Sequence, residues 1–388
     1  MPAPIPSASR RRPLPVLALA ATVLAVAACS PGYLSQAALG QWQVLRARRP
    51  LEQVLADPAT GPALRGRLLA ADGALVFART QLALPRTGSY RHYADLGRPY
   101  VVWNVFTAPE FDLAPTEFCF PVAGCVPYRG FFAEGDAEAE ARRLAGRGAD
   151  VFVGGVAAYA TLGWFDDPLL NTLLDAAEAD VAATLFHELA HRQYYLPGDT
   201  PFNEGFASFV EQEGLRQWLA FRGDVAGLCA VAARDGRYRS VAAILDDLRA
   251  GLGAVYAAGG EPAARRAAKA AAIEHARDRY RALRAGWDGP PWFDGWFGLG
   301  PDGGPLAAGA GAGLPNNASL AALASYGEWV PAFAALFAEA SADWPAFYAR
   351  VAALGALPDA DRQARLAALA AAGAAVSARP GAGSCRSS

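Results

Sequence analysis

Lysine is almost missing from this chain of 388 residues. Of its 35 basic residues only Lys269 is a lysine, the other 34 being arginine. With 37 acidic residues the formal net charge is −2 and the pI is near 6.1. Such a balance offers no basic surplus to hold a phosphate backbone, which excludes nucleic acid as an expected partner. No long apolar run occurs after residue 28, which excludes a polytopic membrane protein. No repeat of solenoid period is found, so stacked-repeat architectures drop out. Hydrophobic residues make up 53% of the chain, too many for a disordered protein. Five cysteines form no paired CxxC pattern and have no adjacent histidine, which excludes a structural zinc knuckle. Histidine occurs only four times, so any clustering of it carries information.

Residues 1–28 contain Arg10, Arg11 and Arg12, then the apolar run Pro13 to Ala28, and no acidic residue. This is the layout of an export signal. The run is shorter than the roughly 20 residues that span a bilayer. Val26-Ala27-Ala28-Cys29 resembles a bacterial lipobox, which implies cleavage before Cys29, its acylation, and a membrane anchor of several chains. Losing the three arginines leaves 32 basic against 37 acidic residues. In an oxidising compartment Cys119 and Cys125, six positions apart around a Pro- and Gly-containing loop, are expected to pair. Cys229 and Cys385 show no pairing logic and read as free thiols.

The coarse pattern is α+β, strands first and helices afterwards. Residues 29–72 read as a tether and N-terminal helices. Residues 73–165 read as a β-rich part with strands at Ala74–Ala78, Tyr100–Phe106 and Val151–Tyr159, interrupted by a helix from about Asp136 to Gly146. Residues 166–375 read as helical, with a start signal in Asp166-Asp167-Pro168. The expected helices there are Leu169–Leu196, Pro201–Phe221, Tyr238–Ala258, Pro262–Ala285, Ala318–Ala340 and Pro345–Ala372. Gly286 to Pro315 reads as a loop over a cleft, and residues 376–388 as a disordered tail.

The chemistry concentrates in Thr184-Leu-Phe-His-Glu-Leu-Ala-His191. Four residues make just over one helical turn, so His187 and His191 leave one face and can grip one ion. Nitrogen donors at this spacing suit Zn²⁺, and Glu188 is placed to take a proton from activated water as general base. With four His and 15 Glu in 388 residues, chance would produce such a string on the order of 0.002 times. A catalytic zinc wants a third protein ligand. Glu204, separated from His191 by a spacer of twelve residues and past the turn signal Pro197-Gly198-Asp199, can return to the height of the ion on the next helix. Ser208 and Glu211 share its face and are candidates for orienting the histidines.

The pair HELAH and NEGFASFVE (Asn203–Glu211) resembles the gluzincin metallopeptidases, which include thermolysin and the zinc aminopeptidases. In the latter the glutamate of an NEGFA segment is the third ligand. The spacer here is shorter than theirs. The chain is more similar to a bacterial family of predicted aminopeptidase lipoproteins, through VVWNVFTAPEF (Val101–Phe111), CFPVAGCVPYRGFF (Cys119–Phe132), AYATLGWFDDPLL (Ala158–Leu170) and PNNASLAALASYGEWVPAF (Pro315–Phe333). The resemblance implies a zincin-like fold with one Zn²⁺ per chain. It also implies a peptide or protein substrate and a lipid-anchored place in the bacterial cell envelope, at the outer membrane facing the periplasm.

A tetrahedral oxyanion needs a donor besides the metal, for which Tyr326 is the first candidate and Tyr280 and His275 follow. Capture of a free substrate amine needs a carboxylate, and Glu117, Asp112, Asp166 and Asp167 are the candidates. Val151–Tyr159 could pair with an extended peptide as an edge strand. The leading expectation is therefore a zinc aminopeptidase. The rival readings are an endopeptidase, and an envelope binding or assembly factor built on the same fold.

Overall fold

The computed structural model describes residues 31–120, 124–159, 161, 165–287, 293–300, 315–327 and 329–377. The export signal, Cys29, Cys385, most of the 286–315 loop and nearly all of the tail lie outside these residues. The fold is α+β and mainly helical. Among the described residues no helix is long and apolar enough to cross a membrane.

Helix α1 (Pro31–Arg46) leads into a short strand β1 (Arg48–Pro50), helix α2 (Leu51–Ala56) and helix α3 (Pro62–Thr80). The Ala74–Ala78 segment, expected as a strand, is the last part of α3. Its burial shows why: Leu68, Ala71, Ala74, Phe77 and Ala78 recur every three or four residues and form one buried helical stripe. A short apolar run taken alone does not distinguish the two periods.

Three antiparallel strands then form the central sheet, in the order β6 (Tyr128–Phe131), β3 (Val102–Ala108), β7 (Asp150–Val156). Strand β3 is buried at all seven positions because both faces are covered. Trp103 and Val105 pack with Phe131 and Ala137, the latter from helix α4 (Glu134–Ala145). Phe106 and Ala108 pack on the other face with Ala318 and Ala322 of helix α10 (Asn317–Gly327). A hairpin of β4 (Phe118–Phe120) and β5 (Gly124–Val126) sets Cys119 opposite Cys125, and the two form a disulfide. Cys229 is also disulfide-bonded, which corrects its reading as a free thiol.

The expected single helix from Leu169 to Leu196 is three pieces. Leu169–Leu170 is strand β8, pairing parallel with β2 (His92–Ala94). One helical turn, α5 (Asn171–Leu174), follows, and the motif helix α6 starts only at Glu178 and runs to Gln193. Asp166 and Asp167 therefore cap no helix. Asp167 Oδ2 instead accepts the Thr161 N–H at 3.0 Å and the Asp167 N–H donates to Ser89 Oγ at 3.1 Å.

Helix α7 (Thr200–Phe221) packs along α6, and both rest on α3. Asp199 caps α7 by accepting the Phe202 N–H at 3.1 Å. The same carboxylate pairs with Arg362 at 3.0 Å, both side chains about nine-tenths buried. Helices α8 (Val225–Ala258) and α9 (Pro262–Ala285) form a hairpin with its own apolar core. Lys269 on α9 ties that hairpin to the sheet, donating to Asp150 Oδ2 at 2.6 Å and to the Glu110 carbonyl at 2.8 Å. The expected helix Ala318–Ala340 is divided into α10 and α11 (Val330–Glu339), and Pro345–Ala372 into α12 (Trp344–Gly355) and α13 (Asp359–Ser377). Pro358 sits at the second break, where the residue before a proline leaves the helical region.

The largest core joins α3, α6, α7, α11, α12 and α13. Phe206, fully buried, contacts the rings of Phe333, Phe347 and Tyr348 with centroids 5.7, 6.0 and 6.2 Å away. Phe206→Ala is expected to cost about 3–5 kcal/mol in chemical denaturation. Leu39→Ala, at a residue 60% exposed, is expected to stay within about 0.5 kcal/mol of wild type.

Candidate metal centre

Helix α6 presents His187 and His191 one turn apart, and their rings lie 4.9 Å centroid to centroid with the two Nε2 atoms 3.2 Å apart. The chain then reverses in a turn that is clamped by one side chain. Asn203 accepts the Leu196 N–H at 2.8 Å and donates to the Leu196 carbonyl at 2.7 Å. Its neighbour Glu204 is thereby returned to the histidines, with Oε2 3.3 Å from His187 Nε2 and 3.8 Å from His191 Nε2. Glycine is required next in sequence: a Cβ on Gly205 would come within 2.8 Å of Trp329 Cβ.

The three donor atoms lie within 4.8 Å of one another. Bonds of 2.0–2.1 Å in a tetrahedral zinc site put ligand atoms about 3.3 Å apart, and the observed 3.2, 3.3 and 3.8 Å bracket that spacing. Glu204 Oε2 is buried and accepts no hydrogen bond, an orphan that a cation would satisfy. The donor set of two imidazoles and one carboxylate therefore fits a dication.

Glu211, two turns along α7 from Glu204, places Oε2 3.0 Å from His187 Nδ1. That contact assigns Nδ1 as the protonated nitrogen and turns Nε2 toward Glu204. Ser208 is buried but has no hydrogen bond to either histidine among the described residues.

The electrostatics are those of charges kept from water. Burial lowers the His187 pKa, yet the carboxylates of Glu204 and Glu211 outweigh it and hold the group well above the ordinary imidazole value. His191 is lowered to about 4 by burial and by the charge on His187. Burial raises Glu204, and its two histidine neighbours bring it net below the usual carboxylate value. Glu188 is pushed up to about 7, chiefly by burial, with His187 opposing and Glu204, Asp167 and Glu211 adding to the rise.

Three tyrosines are coupled electrostatically to this cluster. Tyr128 on β6 is raised by burial and by the charges of Glu204 and Glu188. Tyr195, just past α6, is raised by burial and by Glu204, its ring centroid 6.2 Å from that of His191. Tyr90 is raised by burial and next by Glu188. Its backbone is left-handed (φ 66°), held by its N–H to the Asp167 carbonyl. Tyr326 lies in α10, but its side chain is outside the described residues. Tyr280 is fully buried in the α8–α9 core, donating to Asp294 at 2.5 Å, and His275 is exposed. Neither contacts the cluster among the described residues. Of the four amine-binding candidates Asp112, Glu117 and Asp166 are exposed, whereas Asp167 is buried with its charge felt at Glu188.

Sequence reasoning missed Asn203, whose value lies in the turn it closes, and the tyrosines of β6 and of the 89–90 loop. These belong to other elements, and no local spacing links them to the motif helix. Tyr128 of β6 is coupled electrostatically to Glu204 and Glu188, and β7 (Asp150–Val156), within the expected Val151–Tyr159 strand, is an edge of the sheet.

A family model described as "Putative aminopeptidase" matches residues 32–366, and the chain belongs to that family. No curated protein and no solved structure matches the chain.

Two outcomes follow from the donor geometry. Glu211→Ala is expected to weaken zinc binding about 10- to 100-fold in competition with a chromogenic chelator, and Ser208→Ala to leave it unchanged. Near neutral pH His187 carries a proton that must leave for a cation to bind, while His191 has already lost its own. Calorimetry in buffers of different ionisation heat should then show about one proton released per ion, with affinity falling as pH falls. Heats independent of buffer would contradict this.

Proposed function

We propose that the chain is an exported, lipid-anchored zinc peptidase that acts as an aminopeptidase. The observation that carries this reading is the convergence of His187, His191 and Glu204 beside the buried Glu188. Zn²⁺ held by those three residues would supply Lewis acidity, lowering the pKa of water toward about 7 and polarising a peptide carbonyl.

The chain's own groups do the rest. Glu188, held at about 7 by burial, can both take and return a proton at neutral pH, which is what a shuttle between water and the leaving amine requires. Tyr128 and Tyr195 keep their protons to higher pH than a free phenol. A protonated phenol beside Glu204 is a donor for a developing oxyanion, and Tyr128 replaces Tyr326 as the candidate whose surroundings are defined. Asp167, near Glu188 and buried, is the carboxylate best placed to attract a substrate ammonium. The family membership supports peptide hydrolysis, and the lipobox-like Val26–Cys29 segment supports the anchor and a place in the envelope.

A mixed peptide library digested and read by mass spectrometry tests the reading. Wild type should remove residues singly from free N-termini, and N-acetylated peptides should survive. Internal cleavage would turn the assignment to an endopeptidase. Glu188→Gln should retain zinc and lose at least about 100-fold in kcat; unchanged turnover would refute the proton-transfer role. Tyr128→Phe should lower kcat by about 10- to 1,000-fold with KM little changed, and an effect on KM alone would remove it from the oxyanion role.

A further inference from the structure

The motif helix has a second face. Leu189 lies two positions from each histidine, about 200° around the helix, and so points away from the metal cluster. It lines a cavity of about 170 Å³ together with apolar residues of α3 and with Arg79, Arg86, Thr87, Ser89 and Arg91, the three arginines exposed and Ser89 buried. The cavity is smaller than the roughly 300–1,000 Å³ that accepts a drug-sized ligand, so it suits one compact group and not a length of peptide.

Its polar lining is built almost entirely of donors. Asp72 is the one carboxylate of its lining and is engaged by Arg91 at 3.1 Å, Arg91 also reaching Glu52 at 3.2 Å, while the Asp166 carboxylate packs against Gly88 of the same loop. Arg79 and Arg86 have no ion-pair or hydrogen-bond partner among the described residues. The two hydroxyl oxygens already accept backbone N–H groups, Thr87 Oγ1 from Ser89 at 3.2 Å and Ser89 Oγ from Asp167 at 3.1 Å. Each hydroxyl proton is therefore left to donate. Two uncompensated guanidinium forks with two hydroxyl donors form a receptor for an oxyanion. Two free positive charges match a group that carries nearly two negative ones, as a phosphate does at neutral pH.

We propose that this cavity is a binding site for phosphate or a terminal phosphate monoester, separate from the metal centre and on the opposite face of the same helix. Arg79 and Arg86 supply the charge, while Thr87 and Ser89 fix the orientation. Through Ser89, the site is one hydrogen bond from Asp167.

Isothermal titration of the full chain with inorganic phosphate, with glycerol 3-phosphate and with acetate tests the assignment. Saturable binding of both phosphates is expected, with acetate at least about 10-fold weaker. Arg79→Ala/Arg86→Ala should lose at least 10-fold in phosphate affinity, and Arg365→Ala on α13 should not. Thermal unfolding of each variant without ligand establishes that it is folded. Equal affinities for the two phosphates would identify the free ion as ligand, and tighter glycerol 3-phosphate an organic phosphate; either supports the site. Absence of saturable phosphate binding, an unaltered affinity in the double variant, or acetate bound as tightly as phosphate would overturn it.

Discussion

Everything at the candidate centre depends on the reversal between α6 and α7. The two histidines come from one helix and need only its pitch, but the third ligand must be carried back across a turn. One side chain does this: Asn203 closes on both the N–H and the carbonyl of Leu196. Asp199 holds the same turn from the other side by capping α7 and pairing with Arg362. A buried ion pair gains little against the desolvation of its charges, though breaking it leaves one of them stranded. Its use here is positional, fixing where α7 begins and so where Glu204 stands. Gly205 completes the arrangement by letting Trp329 come close.

The surrounding core explains why such a centre stays assembled. Cations, carboxylates and imidazoles taken out of water are costly when unpaired, and the protein meets that cost with neighbours. Glu211 satisfies the outer nitrogen of His187, and Glu204 Oε2 stands 3.3 Å from the inner one. Glu204 Oε2, which accepts no hydrogen bond, is the expected remainder of a site completed by a cation. Burial and the neighbouring carboxylates together distribute the protons: burial leaves His191 neutral and poises Glu188 near neutrality, while Glu204 and Glu211 keep His187 charged.

How much of this could be seen in the sequence depended on range. The i, i+4 relation of His187 and His191 is local, and the helix bearing them follows from it. Pro262–Ala285 is likewise bracketed by its own proline and glycine, and the helix observed has those bounds. Ala74–Ala78 was ambiguous because five apolar residues fit either period, and only the stripe begun at Leu68 resolves it. Asp166-Asp167-Pro168 has the composition of a helix start, yet tertiary contacts with Ser89 and Tyr90 claim it. Tyr128 and Tyr90 could not have been found by spacing, since they lie on β6 and the 89–90 loop and are coupled to Glu204 and Glu188 only through the field of the folded chain. The donor-rich cavity behind Leu189 is hidden for the same reason: its lining comes from α3, the loop after it and the motif helix, which meet only in the fold.

The central claim is that two imidazoles and one carboxylate of adjacent antiparallel helices hold a single zinc. X-ray absorption at the zinc edge of the purified chain tests it most directly. The account predicts a first shell of nitrogen and oxygen at about 2.0–2.1 Å, with the multiple-scattering signature of two histidines. Sulfur scattering near 2.3 Å, or fewer than two imidazoles, would contradict it.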